Sequence, residues 1–134
     1  MTAMTADYVR VAPLIVVVED EAIVLAGYQM LFESWGYRVI AAISADDALR
    51  QLDESEGRPG LILADLRLRD GCTGTDAIAR VRAVCGIDVP GVLVTGDTAG
   101  ERLNQAAALG LPILHKPVNG RHLQDLLQRT VGPA

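Results

Sequence analysis

Three short segments place ionisable groups at the ends of apolar runs. Glu19-Asp20-Glu21 follows Leu14–Val18, Asp65 follows Leu61–Ala64, and Lys116-Pro117 comes shortly after Ile113–Leu114. Each apolar run reads as a buried strand that stops at a charge. Carboxylates and one ammonium gathered at a common sheet edge would make a site for a cation and a phosphoryl group. Three carboxylates close together would repel and raise one another's pKa, a penalty that a divalent cation removes. Hard oxygen ligands suit Mg2+, which keeps several waters and takes one or two carboxylates plus phosphoryl oxygens. Asp65 is the acid followed by a polar, glycine-bearing loop, Arg67–Gly74. A carboxylate can attack phosphorus and form an acyl phosphate. Lys116 would neutralise charge on the equatorial oxygens in the transition state. Thr95 ends another apolar run, and its hydroxyl could hydrogen-bond a phosphoryl oxygen, while Gly96 permits close backbone approach.

Each residue also has a plain structural reading. Glu21 could simply complement a helix N-terminus, Lys116 could be a solvated surface lysine, and Thr95 could merely finish a strand. What favours a site is the conjunction of acids ending two strands at one edge.

The elements that must position these groups follow from periodicity. Leu14–Val18 is a strand covered on both faces. A helix is predicted over Glu21–Trp35, closed by Gly36. Arg38–Ile43 is the second strand. Ser44 is the N-cap of Ala45–Glu54, with Asp46 and Asp47 in its first turn. Glu56–Gly60 is a loop by composition. Leu61–Asp65 is the third strand, Thr75–Cys85 a helix, Gly91–Thr95 the fourth strand and Ala99–Leu109 a short helix. Pro112–Leu114 is the last strand, placed by Pro112 at a strand start or edge, and Asn119–Val131 closes the chain. Five β–α repeats predict a doubly wound α/β fold, with helices on both faces of a five-stranded parallel sheet. In the order 2-1-3-4-5 the first and third strands are neighbours and flank the switch point where ligands bind.

Composition bounds the function. The 134 residues predict one domain, at 13–132, preceded by a flexible lead-in at 1–12. Half the residues are apolar, which argues for a packed core rather than disorder. The net charge of −5, without a Lys/Arg cluster, argues against nucleic-acid binding by this domain. The two cysteines, Cys72 and Cys85, lack the spacing of a metal site and read as free thiols in a reducing cytoplasm. No apolar run approaches the roughly 20 residues of a membrane span, and no signal peptide is visible.

The set Glu19-Asp20-Glu21, Asp65, Thr95-Gly96 and Lys116-Pro117 resembles the receiver domain of two-component response regulators, in order and over about Leu14 to Val131. The resemblance implies a flavodoxin-like fold that takes a phosphoryl group from the phosphohistidine of a sensor histidine kinase or phosphotransfer protein. It implies Asp65 as phospho-acceptor, Thr95 as switch hydroxyl and Lys116 as phosphate-bonding ammonium. Asp20 and Glu19 would bind Mg2+, with Asp65 and the backbone carbonyl of Arg67 as further ligands. Such a domain is a signalling switch rather than an enzyme, and is cytoplasmic. The segment Leu114–Val118 resembles receivers attached to hybrid sensor kinases. His115 and His122 are poor phosphohistidine candidates, since those histidines belong to helical bundles.

Two departures stand out. The last strand carries Ile113 where the family usually has Tyr or Phe, leaving an aromatic switch coupled to Thr95 without its aromatic. The loop after Asp65 lacks the usual proline and has an extra residue before Gly74. These departures sustain an alternative: a pseudo-receiver acting as a phosphorylation-independent interaction module. A haloacid-dehalogenase-like phosphatase would need a second acid at Arg67, and a dinucleotide enzyme would need GxGxxG after the first strand. The first helix bears two apolar stripes, Ile23/Gly27/Met30 and Val24/Tyr28/Leu31/Trp35. The second is expected to be partly exposed and to dock a kinase helical bundle or a second copy of the chain.

Overall fold

The structure is a computed structural model that describes residues 12–55, 57–68, 72–86, 88–96 and 110–132. The β-branched run Leu14–Val18 forms β1, buried at every position, as a strand covered on both faces must be. It pairs in parallel with β2 (Arg38–Ala42) on one side and β3 (Pro59–Asp65) on the other. β4 (Gly91–Thr95) and β5 (Ile113–His115) complete a sheet of order β2-β1-β3-β4-β5, the order predicted. Val18 lies opposite Ala64, Asp65 opposite Val94, and Thr95 opposite His115. One edge therefore collects the residues at which these strands end.

Among the described residues four helices flank the sheet: α1 (Ala22–Ser34), α2 (Ala45–Glu54), α3 (Gly74–Cys85) and α4 (Gly120–Val131). Side chains cap three of them. Ser44 Oγ accepts from Asp47 N at 3.0 Å, and Asn119 Oδ1 accepts from Arg121 N at 2.9 Å. Thr73 and Asp76 exchange side-chain-to-backbone hydrogen bonds, both at 3.1 Å, in a capping box. Glu21 occupies the N-cap of α1, but its side chain makes no cap hydrogen bond. The helix predicted at Ala99–Leu109 lies outside the described residues, as do 1–11 and the turn residues Asp97 and Thr98.

Strand alternation sorts the core into two layers. Ile15, Val17, Leu61, Leu63, Val92 and Val94 meet Leu25 and Phe32 of α1 and Leu123 and Leu127 of α4. The opposite faces of the same strands meet Ala45, Ala48 and Leu52 of α2 and Ala77, Ile78 and Val81 of α3. The stripe Val24/Tyr28/Leu31/Trp35 of α1 is partly exposed, as expected, but it is not the most exposed one. Leu25 and Phe32 are the buried anchors of the helix, and Tyr28, Leu31 and Trp35 pack beside them. The most exposed stripe is the other one: Ile23 is 89% and Met30 72% exposed, and Gly27 lies between them. Apolar residues occur on every face of this helix, so periodicity alone carried no phase.

Gly74 positions the site through its backbone. A Cβ there would lie 2.3 Å from the Asp65 carbonyl oxygen and 2.8 Å from Leu93 Cδ2. At Gly27 a Cβ would meet nothing within 4 Å. The two alanine substitutions are therefore expected to have opposite signs in urea unfolding. Gly27→Ala should stabilise by about 0.5–1 kcal/mol through helix propensity. Gly74→Ala should destabilise by about 1–3 kcal/mol through overpacking. Equal effects at the two positions would contradict the close approach of α3 to β3.

Candidate functional site

The sheet ladder continues one residue past two strands. Glu19 N donates to Ala42 O at 3.0 Å, and Lys116 N donates to Thr95 O at 2.8 Å. Alternation therefore continues too. Glu19 has the parity of Ile15 and Val17, Asp65 that of Leu61 and Leu63, and Lys116 that of Leu114. All three lie on the face covered by α1 and α4. Thr95 has the parity of Leu93, belongs to the opposite face and is buried.

These groups meet. Lys116 Nζ donates to Asp65 Oδ2 at 3.2 Å, with the two side chains 34% and 12% exposed respectively. The other Asp65 oxygen accepts from the backbone N–H of Arg67 at 3.3 Å. Arg67 is itself bridged to Thr73 across the loop, and Gly74 N donates to Leu66 O at 3.0 Å. The carboxylate is thus held on both oxygens at the end of a rigid strand. Glu19, only 1% exposed, is the most deeply buried acid of the group. Burial first, then a hydrogen bond with Asp65 and its charge, push the Glu19 carboxyl from 4.5 up to about 8, although Lys116 pulls it back. Burial opposes the Lys116 ammonium, but the hydrogen bond and charge of Asp65, with Glu19 behind it, raise its pKa nonetheless.

Of the residues singled out in the sequence, the structure thus brings Glu19, Asp65 and Lys116 together. Asp20 follows Glu19 and is half-buried, Thr95 borders the site through its backbone, and the Arg67 side chain is exposed. Ile113 packs into the α2/α3 layer, and His115 and His122 are exposed. Among the described residues, no three Asp, Glu, His or Cys side chains converge as a metal cage. Glu19 and Asp65 are the acids that meet beside the Lys116 ammonium. That donor set fits Mg2+, which needs only one or two carboxylates beside waters and phosphoryl oxygens. Two carboxyls in hydrogen-bond contact must share a proton unless a cation takes its place.

One participant escaped the sequence reading: Gly74, whose role is the close approach of its backbone to Asp65.

Residues 15–128 match the family described as response regulator receiver domain. The chain is 34% identical over 110 residues to the phyllosphere-induced regulator PhyR of Methylorubrum extorquens, a match covering 78% of this chain and 39% of that protein. It spans well under half the length of the curated relatives it matches. A response regulator receiver protein from Pseudomonas putida superposes with a TM-score of 0.76 at 30% identity, covering 90% of this chain and 99% of that one. Vibrio cholerae chemotaxis protein CheY4 superposes at 0.77, again covering 90% of this chain and 99% of that one; its 24% identity bears on the fold alone. No helix among the described residues is long and apolar enough to cross a membrane.

The raised Glu19 pKa makes stability depend on pH. Between pH 4.5 and about 8 the folded state keeps a proton that the unfolded state has lost. The associated stability is fully present below pH 4.5 and is lost as pH rises through about 8. The urea midpoint of the metal-free protein should therefore fall from pH 5.5 to 8.5 (about three units spanning that window). Glu19→Gln, which keeps a donor toward Asp65 but does not titrate, should flatten the fall. Mg2+ should raise the midpoint more at the alkaline end, where no proton competes. An unchanged pH profile in Glu19→Gln would contradict the assignment.

Proposed function

Because this chain belongs to the family of response regulator receiver domains, we propose that it accepts a phosphoryl group from a phosphohistidine onto Asp65 and signals by the conformational shift that follows. The observation that carries the reading is the Asp65–Lys116 contact at 3.2 Å beside the buried Glu19. An Asp65 carboxylate oxygen attacks phosphorus as the bond to the donor imidazole nitrogen breaks, and the imidazole leaves with the electron pair. Lys116 is placed to follow the charge from the carboxylate onto the phosphoryl oxygens. The Arg67 N–H holds the second carboxylate oxygen, which limits rotation of the nucleophile. Glu19, Asp20, Asp65 and the Arg67 carbonyl would hold Mg2+, which when bound supplies positive charge to the acids and the phosphoryl oxygens. Thr95 would receive a phosphoryl oxygen once its hydroxyl turns toward Asp65, drawing the start of the following turn with it. Phosphorylation then shifts a pre-existing equilibrium between conformers.

The donor must reach the edge where the strands end, and α1 begins there. Its exposed Ile23, Gly27 and Met30 form the face we assign to the kinase or phosphotransfer partner. Cytoplasmic placement accords with that donor. An interaction module independent of phosphorylation is the competing reading, and Ile113 in place of an aromatic is the residue that favours it.

Phosphotransfer separates the two. Wild type incubated with Mg2+ and acetyl phosphate should gain a hydroxylamine-labile phosphoryl group. Asp65→Asn, or chelation of the metal, should reduce labelling to background. Equal labelling of wild type and Asp65→Asn would overturn the assignment of the acceptor, and no labelling of wild type would leave the interaction module.

A further inference from the structure

The loop after Asp65 has no proline between Leu66 and Thr73 to restrict its backbone. Its two ends are held by hydrogen bonds instead. Arg67 and Thr73 face one another as an antiparallel bridge, which Gly74 N closes by donating to Leu66 O at 3.0 Å. In a pair bonded this way the N–H groups of the two facing residues turn outward, away from each other, so each needs another acceptor. Arg67 N donates to Asp65 Oδ1 at 3.3 Å, and Thr73 N donates to Asp76 Oδ2 at 3.1 Å. Asp76 N returns a bond to Thr73 Oγ1 at 3.1 Å, which completes the capping box of α3. Asp76 is thus connected to the Asp65 carboxylate through Thr73 and Arg67. Beside the bridge, Leu68 is buried in the α2/α3 layer and Gly74 lies against the Asp65 carbonyl. The other Asp65 oxygen is held by Lys116, whose stem is flexible. The Arg67 N–H is the backbone contact, and it directs the carboxylate only as well as its own loop is held.

We infer that Thr73 and Asp76 are positioning residues for the Asp65 nucleophile: the capping box fixes Thr73, Thr73 fixes Arg67 across the bridge, and the Arg67 N–H fixes the rotation of the carboxylate. The consequence for phosphorylation rests on the function proposed above. Without the Asp76 side chain, Thr73 N turns to water and the bridge loosens. Arg67 N then loses its direction, and Asp65 spends less time with an oxygen in line for attack. A helix cap placed elsewhere acts on stability alone. Ser44 at the start of α2 is such a cap, with Asp47 N donating to Ser44 Oγ at 3.0 Å.

The test compares the two caps. Acetyl phosphate-driven phosphorylation is measured across concentrations for wild type, Asp76→Ala, Asp76→Asn and Ser44→Ala, with thermal midpoints alongside. Asp76→Ala should lower the maximal rate about three- to tenfold, the range of one hydrogen bond, at unchanged KM. Asp76→Asn keeps a side-chain oxygen for Thr73 N and should recover most of the rate. Ser44→Ala removes a cap of the same kind. It should lower the thermal midpoint as Asp76→Ala does, by about 2–8 °C, and keep the wild-type rate. A wild-type rate in Asp76→Ala, no recovery in Asp76→Asn, or an equal slowing in Ser44→Ala overturns the proposal. If wild type takes up no phosphoryl group, the phospho-acceptor reading fails by itself. The proposal is then decided by hydrogen exchange of the Arg67 amide. Exchange about three- to tenfold faster than wild type in Asp76→Ala but not in Ser44→Ala supports it. Equal exchange in wild type and Asp76→Ala, or equal acceleration in both variants, overturns it.

Discussion

Two carboxyl groups and an ammonium are packed against one another at the edge of a parallel sheet, and one of the carboxyls has almost no access to water. Glu19 is 1% exposed and hydrogen-bonded to Asp65. Side by side in such surroundings, two carboxylates are stable only with a positive charge or a proton between them. Lys116 supplies part of that charge from the far side of Asp65. The rest must be a proton or a cation. This constraint links metal binding, protonation and nucleophile availability in one place, because the oxygen that shares a proton with Glu19 belongs to the residue that must attack.

The fold imposes this arrangement through register. β1 and β3 are hydrogen-bonded neighbours, with Val18 opposite Ala64, so the next residue on each strand, Glu19 and Asp65, emerges side by side and on one face. β5 stands two strands from β3, with β4 between them. Only a long side chain can cross that gap, and lysine is long enough to do so from the end of β5. The loop after Asp65 returns closely enough that Gly74 touches the Asp65 backbone. The nucleophile is thus anchored by its strand, by the Arg67 N–H and by the glycine that opens α3.

Much of this was legible in the chain. β-branched runs located β1 and β4 to the residue, and Ser44 located the start of α2, because each signal is local. Glu19 and Asp65 were legible because each directly follows a run of buried residues, and Lys116 because it stands just past the last strand. The contact of Glu19 with Asp65 in particular was not legible. It depends on which residue of each strand faces α1, and that is fixed by tertiary register. The inward anchors of α1 were not legible for a related reason: with Ile23, Leu25, Tyr28, Met30, Leu31 and Phe32 distributed around it, Leu25 and Phe32 can be recognised only once the sheet is in place. The last strand begins one residue later than its composition suggested. Pro112 has no N–H to donate, but its carbonyl accepts from Leu93 at 2.9 Å, so Pro112 borders the ladder instead of joining it.

The shared proton is the centre of this account, and it can be observed directly. Side-chain carboxyl 13C NMR of Glu19, followed through a pH titration with and without Mg2+, reads the competition between proton and cation at one atom. The account predicts a midpoint near pH 8 in the metal-free protein, moving well toward the ordinary carboxylate range when Mg2+ is added. A Glu19 carboxyl that titrates near 4.5 in both conditions would show that it neither shares a proton with Asp65 nor meets the metal, and would contradict the site described here.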